Sequence, residues 1–458
     1  MTSSTRQLFG TDGIRGVAGE FPLTKESTFL IGRALGHDLA KTTPHPRAVI
    51  GQDTRLSSLW IADRVMLGLM STGCEVTSAG VITTPGVAYL ARSRAYDAGV
   101  VISASHNPWT DNGIKVFSGN GYKLPDAHEL SIEQEIFSLM QNPSLHREPT
   151  GRVAPSLPGD EHLRHAYIDW LAGATKTDLS GLRVLVDCAN GAATAEAPEL
   201  FRRLGIQASF IGAEPDGKNI NENCGALHPQ AVASTIAEKK GKFDLGVTFD
   251  GDADRALFSD GQGRVVNGDA ILLVVARDLQ SRGILGGSTI VATTMSNMGL
   301  EIALRQAGIH MLRANVGDKY VLEEMLKTGA ILGGEQSGHI IFRDGDATTG
   351  DGLLTALRVM EVVARTGKSL AELIGDLKVF PQTIKNVRVR EKVPFSEVPS
   401  IQRAIESAEQ SLNGKGRVVV RYSGTEALAR IMVEAESEEE MHALVKDIAI
   451  AIQGALGA

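Results

Sequence analysis

Three stretches of this chain repeat one layout, and that layout limits what the chain can fold into. Each opens with an apolar strand and a polar turn, then runs through a helix-like stretch that stops at a glycine. A second strand follows, and a third strand runs into a polar loop. The opening strands lie at Ala48–Arg55, Val184–Gly191 and Thr289–Met295. The helix-like stretches Met66–Thr72, Ala197–Leu204 and Leu300–Ala307 end at Gly73, Gly205 and Gly308. The second strands are Cys74–Ser78, Ile206–Ile211 and Ile309–Leu312; the third are Gly99–Ile102, Leu245–Phe249 and Ala330–Leu332. Strands alternating with helices build parallel α/β layers, which hold ligands at strand ends. Three such domains would each offer one loop to a shared cleft.

Beyond Pro381 the pattern changes. Lys385–Val389 alternates as a strand, Pro399–Leu412 reads as a helix, and Arg417–Tyr422 and Ala429–Glu434 read as strands. Ser437–Leu456 is a closing amphipathic helix with Ser437 as its N-cap. Compositional breaks fall near residues 143–158, 259–263 and 366–381. The expected fold class is α/β: three related mixed or parallel-sheet domains at residues 1–155, 156–257 and 258–371. A smaller C-terminal α+β domain at residues 382–458 completes the arrangement around a central cleft.

The first loop carries the most chemistry. Val100–Ile102 is an unbroken apolar run, after which Ser103, Ser105 and His106 precede turns at Asn107-Pro108 and Asp111-Asn112-Gly113. If the strand ran on, Ser103 and Ser105 would share a face and His106 would point the other way. His106 would then be a poor base for its neighbour, and no Gly-x-Ser-x-Gly elbow occurs. Two readings stand: a serine that carries a phosphoryl group, or a polar turn whose side chains bond the local backbone.

Asp250, Asp252 and Asp254 alternate straight after an apolar strand. On an extended backbone they would point one way, a like-charge cluster that calls for a hard cation such as Mg²⁺. A solvated acidic turn is the alternative. An EF-hand is excluded, because its sixth loop position is Arg255 and its twelfth is Gly261. Glu335, Ser337 and His339 sit among glycines and suit sugar hydroxyls or proton transfer. Arg421-Tyr-Ser-Gly-Thr-Glu426 combines a guanidinium, hydroxyls and turn N–H groups, either a phosphate cradle or an exposed hairpin turn. Gly367-Lys-Ser369 only imitates a Walker loop, since Val362 stands where its first glycine belongs.

The formal charge of −8 and the lack of a Lys/Arg block argue against nucleic-acid binding. The three scattered cysteines have no metal or disulfide spacing and fit a reducing cytosol. The N-terminus lacks a signal-like apolar segment, and no apolar run is long enough to span a bilayer. A cytoplasmic protein that does not associate with membranes is expected.

Taken together, five segments resemble the α-D-phosphohexomutase family, most closely its bacterial glucosamine branch. They are Phe9–Gly16, Ile102–Pro108, Asp250–Arg255, Gly334–His339 and Arg421–Glu426, in the family's order. Asn315–Val321 and the opening segment point to the branch. The resemblance implies Ser105 as a phosphoserine and, with Asp250, Asp252 and Asp254, a ligand of one Mg²⁺. It implies Arg15, Lys115 and His339 around the transferring phosphate. Arg255, Glu335, Ser337, Arg421, Ser423, Gly424, Thr425 and Arg430 would bind substrate.

The implied reaction interconverts glucosamine 6-phosphate and glucosamine 1-phosphate through a 1,6-bisphosphate, feeding UDP-N-acetylglucosamine synthesis. Glucosamine or glucose 1,6-bisphosphate would serve as intermediate or activator. The implied partner is a small phosphosugar, with room for a homodimer and an activating kinase. Rivals are a phosphomannomutase/phosphoglucomutase of the same family, a non-catalytic phosphosugar sensor and a metal-dependent phosphatase. Two departures from the family pattern are Ala427, where proline is usual, and Lys319, where the branch has arginine.

Overall fold

The computed structural model describes residues 7–10, 12–142, 144, 159–343, 345, 347–423 and 427–458. Among these, the strands form sheets of six, five, four and three strands. The three larger sheets share one frame. An opening strand (Arg47–Gln52, Arg183–Asp187 or Thr289–Thr293) pairs in parallel with a neighbour on each side. One neighbour is the strand that follows the helix: Glu75–Val81, Gln207–Ile211 or His310–Ala314. The other is the third strand, Ala98–Ile102, Leu245–Phe249 or Leu332–Gly334, which turns back into an antiparallel fourth. The threefold repeat expected from sequence is thus a repeat of topology. The helices stop where expected because Gly73, Gly205 and Gly308 have φ of 90°, 70° and 73°. Residues with a Cβ rarely adopt that region.

The first unit has its own core, with Ile14, Phe29, Ile50, Val65 and Val100 packed between its sheet and helices Lys25–Ala40, Leu56–Met70 and Asp126–Met140. The second and third units share a single core that runs from Tyr167 to Leu370. Helix Glu161–Gly173 bridges the shared core and a smaller apolar cluster on the first sheet, which holds Val49, Val101 and Phe117. Leu163 and Ala166 enter the first unit, while Tyr167, Ile168 and Leu171 enter the shared core. Each such burial contributes about 1.5–3 kcal/mol for a large apolar side chain.

One expected boundary needs correction. The break at 257/258 cuts strand Ala256–Asp260, which pairs with both Leu245–Phe249 and Val265–Val266. The turn residues near 259–263 close a hairpin inside the second sheet and are not a linker. The boundary expected near 143–158 lies almost wholly outside the described residues.

In the C-terminal unit, helices Pro399–Leu412 and Glu438–Leu456 cover one face of a three-stranded antiparallel sheet. Ser437 caps the second helix, accepting the Glu440 N–H. Strand alternation sends Ala429, Ile431 and Val433 into this core. Arg430, Met432 and Glu434 therefore take the opposite face. Glu434, fully buried, pairs with Arg417 at 2.7 Å and accepts the Met298 N–H of the third unit at 3.0 Å.

Candidate active site

The loops between third and fourth strands of the three larger sheets carry Ser105, Asp250–Arg255 and Glu335–His339, and they meet. Ser105 is buried in a left-handed backbone conformation, φ 53°. The strand therefore does not run on through it, and the expected opposite facing of Ser105 and His106 fails. Ser105 Oγ lies 3.2 Å from His106 Nδ1, and its N–H donates to Ser103 Oγ at 3.0 Å. Burial, with Arg255 and Arg15 nearby, lowers the His106 pKa to about 4.

Ser105 Oγ donates to Asp250 Oδ2 at 2.5 Å. Asp250, Asp252 and Asp254 each bring one carboxylate oxygen within 4.8 Å of the others. Their convergence does not come from an extended backbone. The strand ends at Phe249 and Ala253 is left-handed, φ 53°, so a tight loop gathers them. Burial and the two neighbouring carboxylates push Asp250 well above the usual range. Burial acts the same way on Asp254, but Lys115, His339 and Arg255 outweigh it and hold it well below. Asp252 Oδ1 and Asp254 Oδ1 are buried without hydrogen-bond partners. An all-oxygen cluster with bare acceptors fits a hard divalent cation.

Cations ring this cluster. Lys115 Nζ lies 2.7 Å from Asp252, 3.3 Å from Asp254 and 2.9 Å from Asp12. Burial opposes its charge, yet those three carboxylates hold its pKa well above the ordinary lysine value. Arg15 pairs with Asp12 at 2.6 Å, and Lys123 joins Asp12 to Asp318 of the third unit, each at 2.5 Å. His339 lies 3.6 Å from Asp254 and 3.4 Å from Asp318. Its burial favours the neutral ring, but the two carboxylates prevail and raise its pKa.

All four units line one cavity of about 650 Å³, whose walls include Arg15, Arg255, Glu335, His339, Arg421 and Arg430. Arg421 and Arg430 stand directly opposite each other on paired strands. Like charges in that position are destabilising, and an anion between them relieves the repulsion. Burial and the Arg430 charge together lower the Arg421 pKa. Arg430 Nη2 donates to Ser423 Oγ at 3.5 Å, and Lys392 Nζ donates to the Ser423 carbonyl at 2.7 Å. Gly424 and Thr425 lie outside the described residues. His106 lines this cavity and Ser105 lies just behind it. A buried hydroxyl at an acid cluster thus stands beside a cationic cavity, a placement suited to passing a phosphoryl group to a bound anion.

Comparison with known proteins agrees. Profiles described as phosphoglucomutase/phosphomannomutase alpha/beta/alpha domains I, II and III match residues 6–143, 165–263 and 267–380. The C-terminal domain profile of the same group matches residues 384–451. A phosphoglucosamine mutase of Koribacter versatilis (strain Ellin345) is 61% identical over 459 residues, covering 100% of this chain and 99% of its own. The chain belongs to the α-D-phosphohexomutase family.

A phosphoglucosamine mutase of Solibacter usitatus (strain Ellin6076) is 52% identical, covering 99% of each chain. Among solved structures, a phosphoglucomutase/phosphomannomutase family protein from Burkholderia thailandensis superposes with TM-score 0.78 at 25% identity, covering 98% of this chain and 97% of its own. An N-acetylphosphoglucosamine mutase of Aspergillus fumigatus, solved with GlcNAc-6P and magnesium, shares the fold with TM-score 0.67 at 19% identity, covering 100% and 97%.

In this phosphohexomutase the residues expected from sequence do not all converge. Glu335 lines the cavity and accepts the Gly317 N–H at 3.0 Å, whereas Ser337 is exposed and lies off the cavity wall. Lys319 does not line the cavity. It pairs with Asp126 and donates to the Leu124 carbonyl at 3.2 Å, tying the third unit to the first. Asp12, Lys123, Asp318 and Lys392 were not singled out from sequence. Asp12 and Asp318 lie within Phe9–Gly16 and Asn315–Val321, where the local pattern gives no sign that either carboxylate will be paired with Lys123.

Proposed function

We propose that this chain is a phosphoglucosamine mutase, an isomerase acting in the cytoplasm, where Cys74, Cys188 and Cys224 as free thiols are at home. No helix among the described residues is long and apolar enough to cross a membrane. The observation that carries the mechanism is the buried Ser105 Oγ on Asp250, inside the three-carboxylate cluster. The full-length 61% identity carries the choice of sugar.

Ser105 stores the phosphoryl group. The O1 hydroxyl of glucosamine 6-phosphate attacks its phosphorus: the P–O1 bond forms, the P–Oγ bond breaks, O1 loses a proton and Oγ gains one. The resulting 1,6-bisphosphate turns end for end. Ser105 Oγ then takes the 6-phosphoryl group, losing its proton as O6 gains one, and glucosamine 1-phosphate leaves. Asp250, Asp252 and Asp254, with an oxygen of phosphorylated Ser105, would hold one Mg²⁺, which when bound offsets charge on the phosphoryl group. Arg15, Lys115, Arg255 and His339 surround that charge, while Glu335 on the cavity wall reads the sugar hydroxyls. Arg421, Ser423, Gly424, Thr425 and Arg430 grip the phosphate that is not reacting. First charging of Ser105 is assigned to a sugar bisphosphate or an activating kinase.

The test compares turnover of glucosamine 6-phosphate, glucose 1-phosphate and mannose 1-phosphate with Mg²⁺ and glucose 1,6-bisphosphate supplied. Preference for the glucosamine substrate is expected; preference for mannose 1-phosphate overturns the assignment. Arg421→Ala removes one side of the opposed arginine pair. Loss of its charge-assisted hydrogen bonds is expected to raise the KM for glucosamine 6-phosphate about ten- to a hundred-fold, read from initial rates.

A further inference from the structure

The carbonyls of Ser105 and Asn107 point into the same pair of donors. Arg55 Nη2, from the first unit, donates to the Ser105 carbonyl at 3.0 Å and to that of Asn107 at 2.6 Å. Asn221 Nδ2, from the second unit, donates to the same two carbonyls at 2.9 and 3.2 Å. Neither donor is loose. The Arg55 side chain is wholly buried and pairs with Asp53, whose other oxygen accepts Ser58 Oγ at 2.7 Å. Asn221 is buried, and its own N–H donates to the Ala189 carbonyl at 2.9 Å.

The loop so gripped is under strain. Ser105 has φ 53°, a conformation that costs a residue with a Cβ about 1–3 kcal/mol and persists only where surroundings over-determine it. The metal loop presses on it from behind, since a Cβ added at Gly251 would lie 2.5 Å from the Ser105 carbonyl oxygen. The seam is fastened again beside Arg55. Leu56 N–H donates to the Gly217 carbonyl at 2.8 Å, and Thr54 Oγ1 donates to the Asn190 carbonyl at 2.5 Å.

We propose that Arg55 and Asn221 are positioning residues that clamp the Ser105 and Asn107 carbonyls from two domains, keeping Oγ of Ser105 fixed beside Asp250. Both act through the loop backbone, since their donor atoms are taken up by the two carbonyls. The clamp sets where the phosphoryl carrier stands relative to the acid cluster, and misplacement of a reacting atom by about 1 Å is enough to cost about 100-fold in rate. The inference rests on Ser105 as the carrier.

The experiment uses the full chain with Asn221→Ala, Arg55→Lys and the double variant. It reads kcat and KM for glucosamine 6-phosphate, the rate at which glucose 1,6-bisphosphate recharges dephosphorylated enzyme, and thermal unfolding. Asn221→Ala is expected to lower kcat and the recharge rate together by about 10- to 100-fold with KM unchanged and folded protein at assay temperature. Because both donors hold the same carbonyls, the two losses should not multiply in the double variant. If Arg55→Lys fails to fold, Asn221→Ala alone decides the matter. Unchanged kcat in Asn221→Ala, a loss confined to KM, or strictly multiplicative losses overturn the clamp. Activity persisting in Ser105→Ala would instead overturn the carrier on which it rests.

Discussion

Ser105→Ala is expected to yield a folded protein whose mutase turnover falls by about 10⁴- to 10⁶-fold, the loss that follows removal of a nucleophile. The fold survives because Oγ contributes only two polar contacts, to Asp250 and His106, and the backbone clamp at residues 105 and 107 is untouched. Intact mass should show natural protein carrying one phosphoryl group after incubation with glucose 1,6-bisphosphate, and the variant carrying none. Retained turnover in a variant that takes no phosphate would mean that the sugar passes its phosphoryl group by some other carrier.

Glu196→Gln is expected to stabilise the protein at pH 8 and leave it unchanged at pH 5. Glu196 precedes helix Ala197–Arg203 and is fully buried. Its Oε1 accepts the Thr83 N–H at 3.3 Å, and Oε2 has no partner. Burial raises its pKa from 4.5 to about 8, although the Thr83 N–H and Arg164 pull the other way. Folded protein thus holds a proton that unfolded chain has released. Stability falls as pH climbs between those two values, by at most about 1.4 kcal/mol per unit. Glutamine has the same shape and no charge, so its stability lacks that slope. Unfolding temperatures of both proteins at pH 5 and pH 8 measure the effect. A variant less stable than natural protein at pH 8 would mean that the carboxylate is ionised and paired.

Much of the fold was legible because its periodicities are local. The turn glycines at 73, 205 and 308 mark helix ends, and Pro399–Leu412 and Arg417–Tyr422 keep the bounds that their patterns suggest. The hairpin at 259–263 was misread because a Gly-rich turn inside a sheet and a Gly-rich linker have the same composition. Within the site, Ser105 and the alternating acids announced themselves as clusters in sequence. The closeness of His106 to Ser105 did not, since it depends on one left-handed residue that no strand pattern foretells. Arg55 and Asn221 were equally hidden. They lie far apart in the chain, and only the docking of two domains puts both on the same pair of carbonyls.

Helix Glu161–Gly173 feeds two hydrophobic interiors at once, and the larger of them is shared by the second and third units. The three larger units are therefore joined through apolar packing that this helix and the shared core provide. In the proposed reaction a 1,6-bisphosphate has to turn end for end, which needs room. The C-terminal unit packs around a core of its own and meets the third unit through Glu434, which accepts the Met298 N–H at 3.0 Å, so the movement that such a turn requires is expected at this seam.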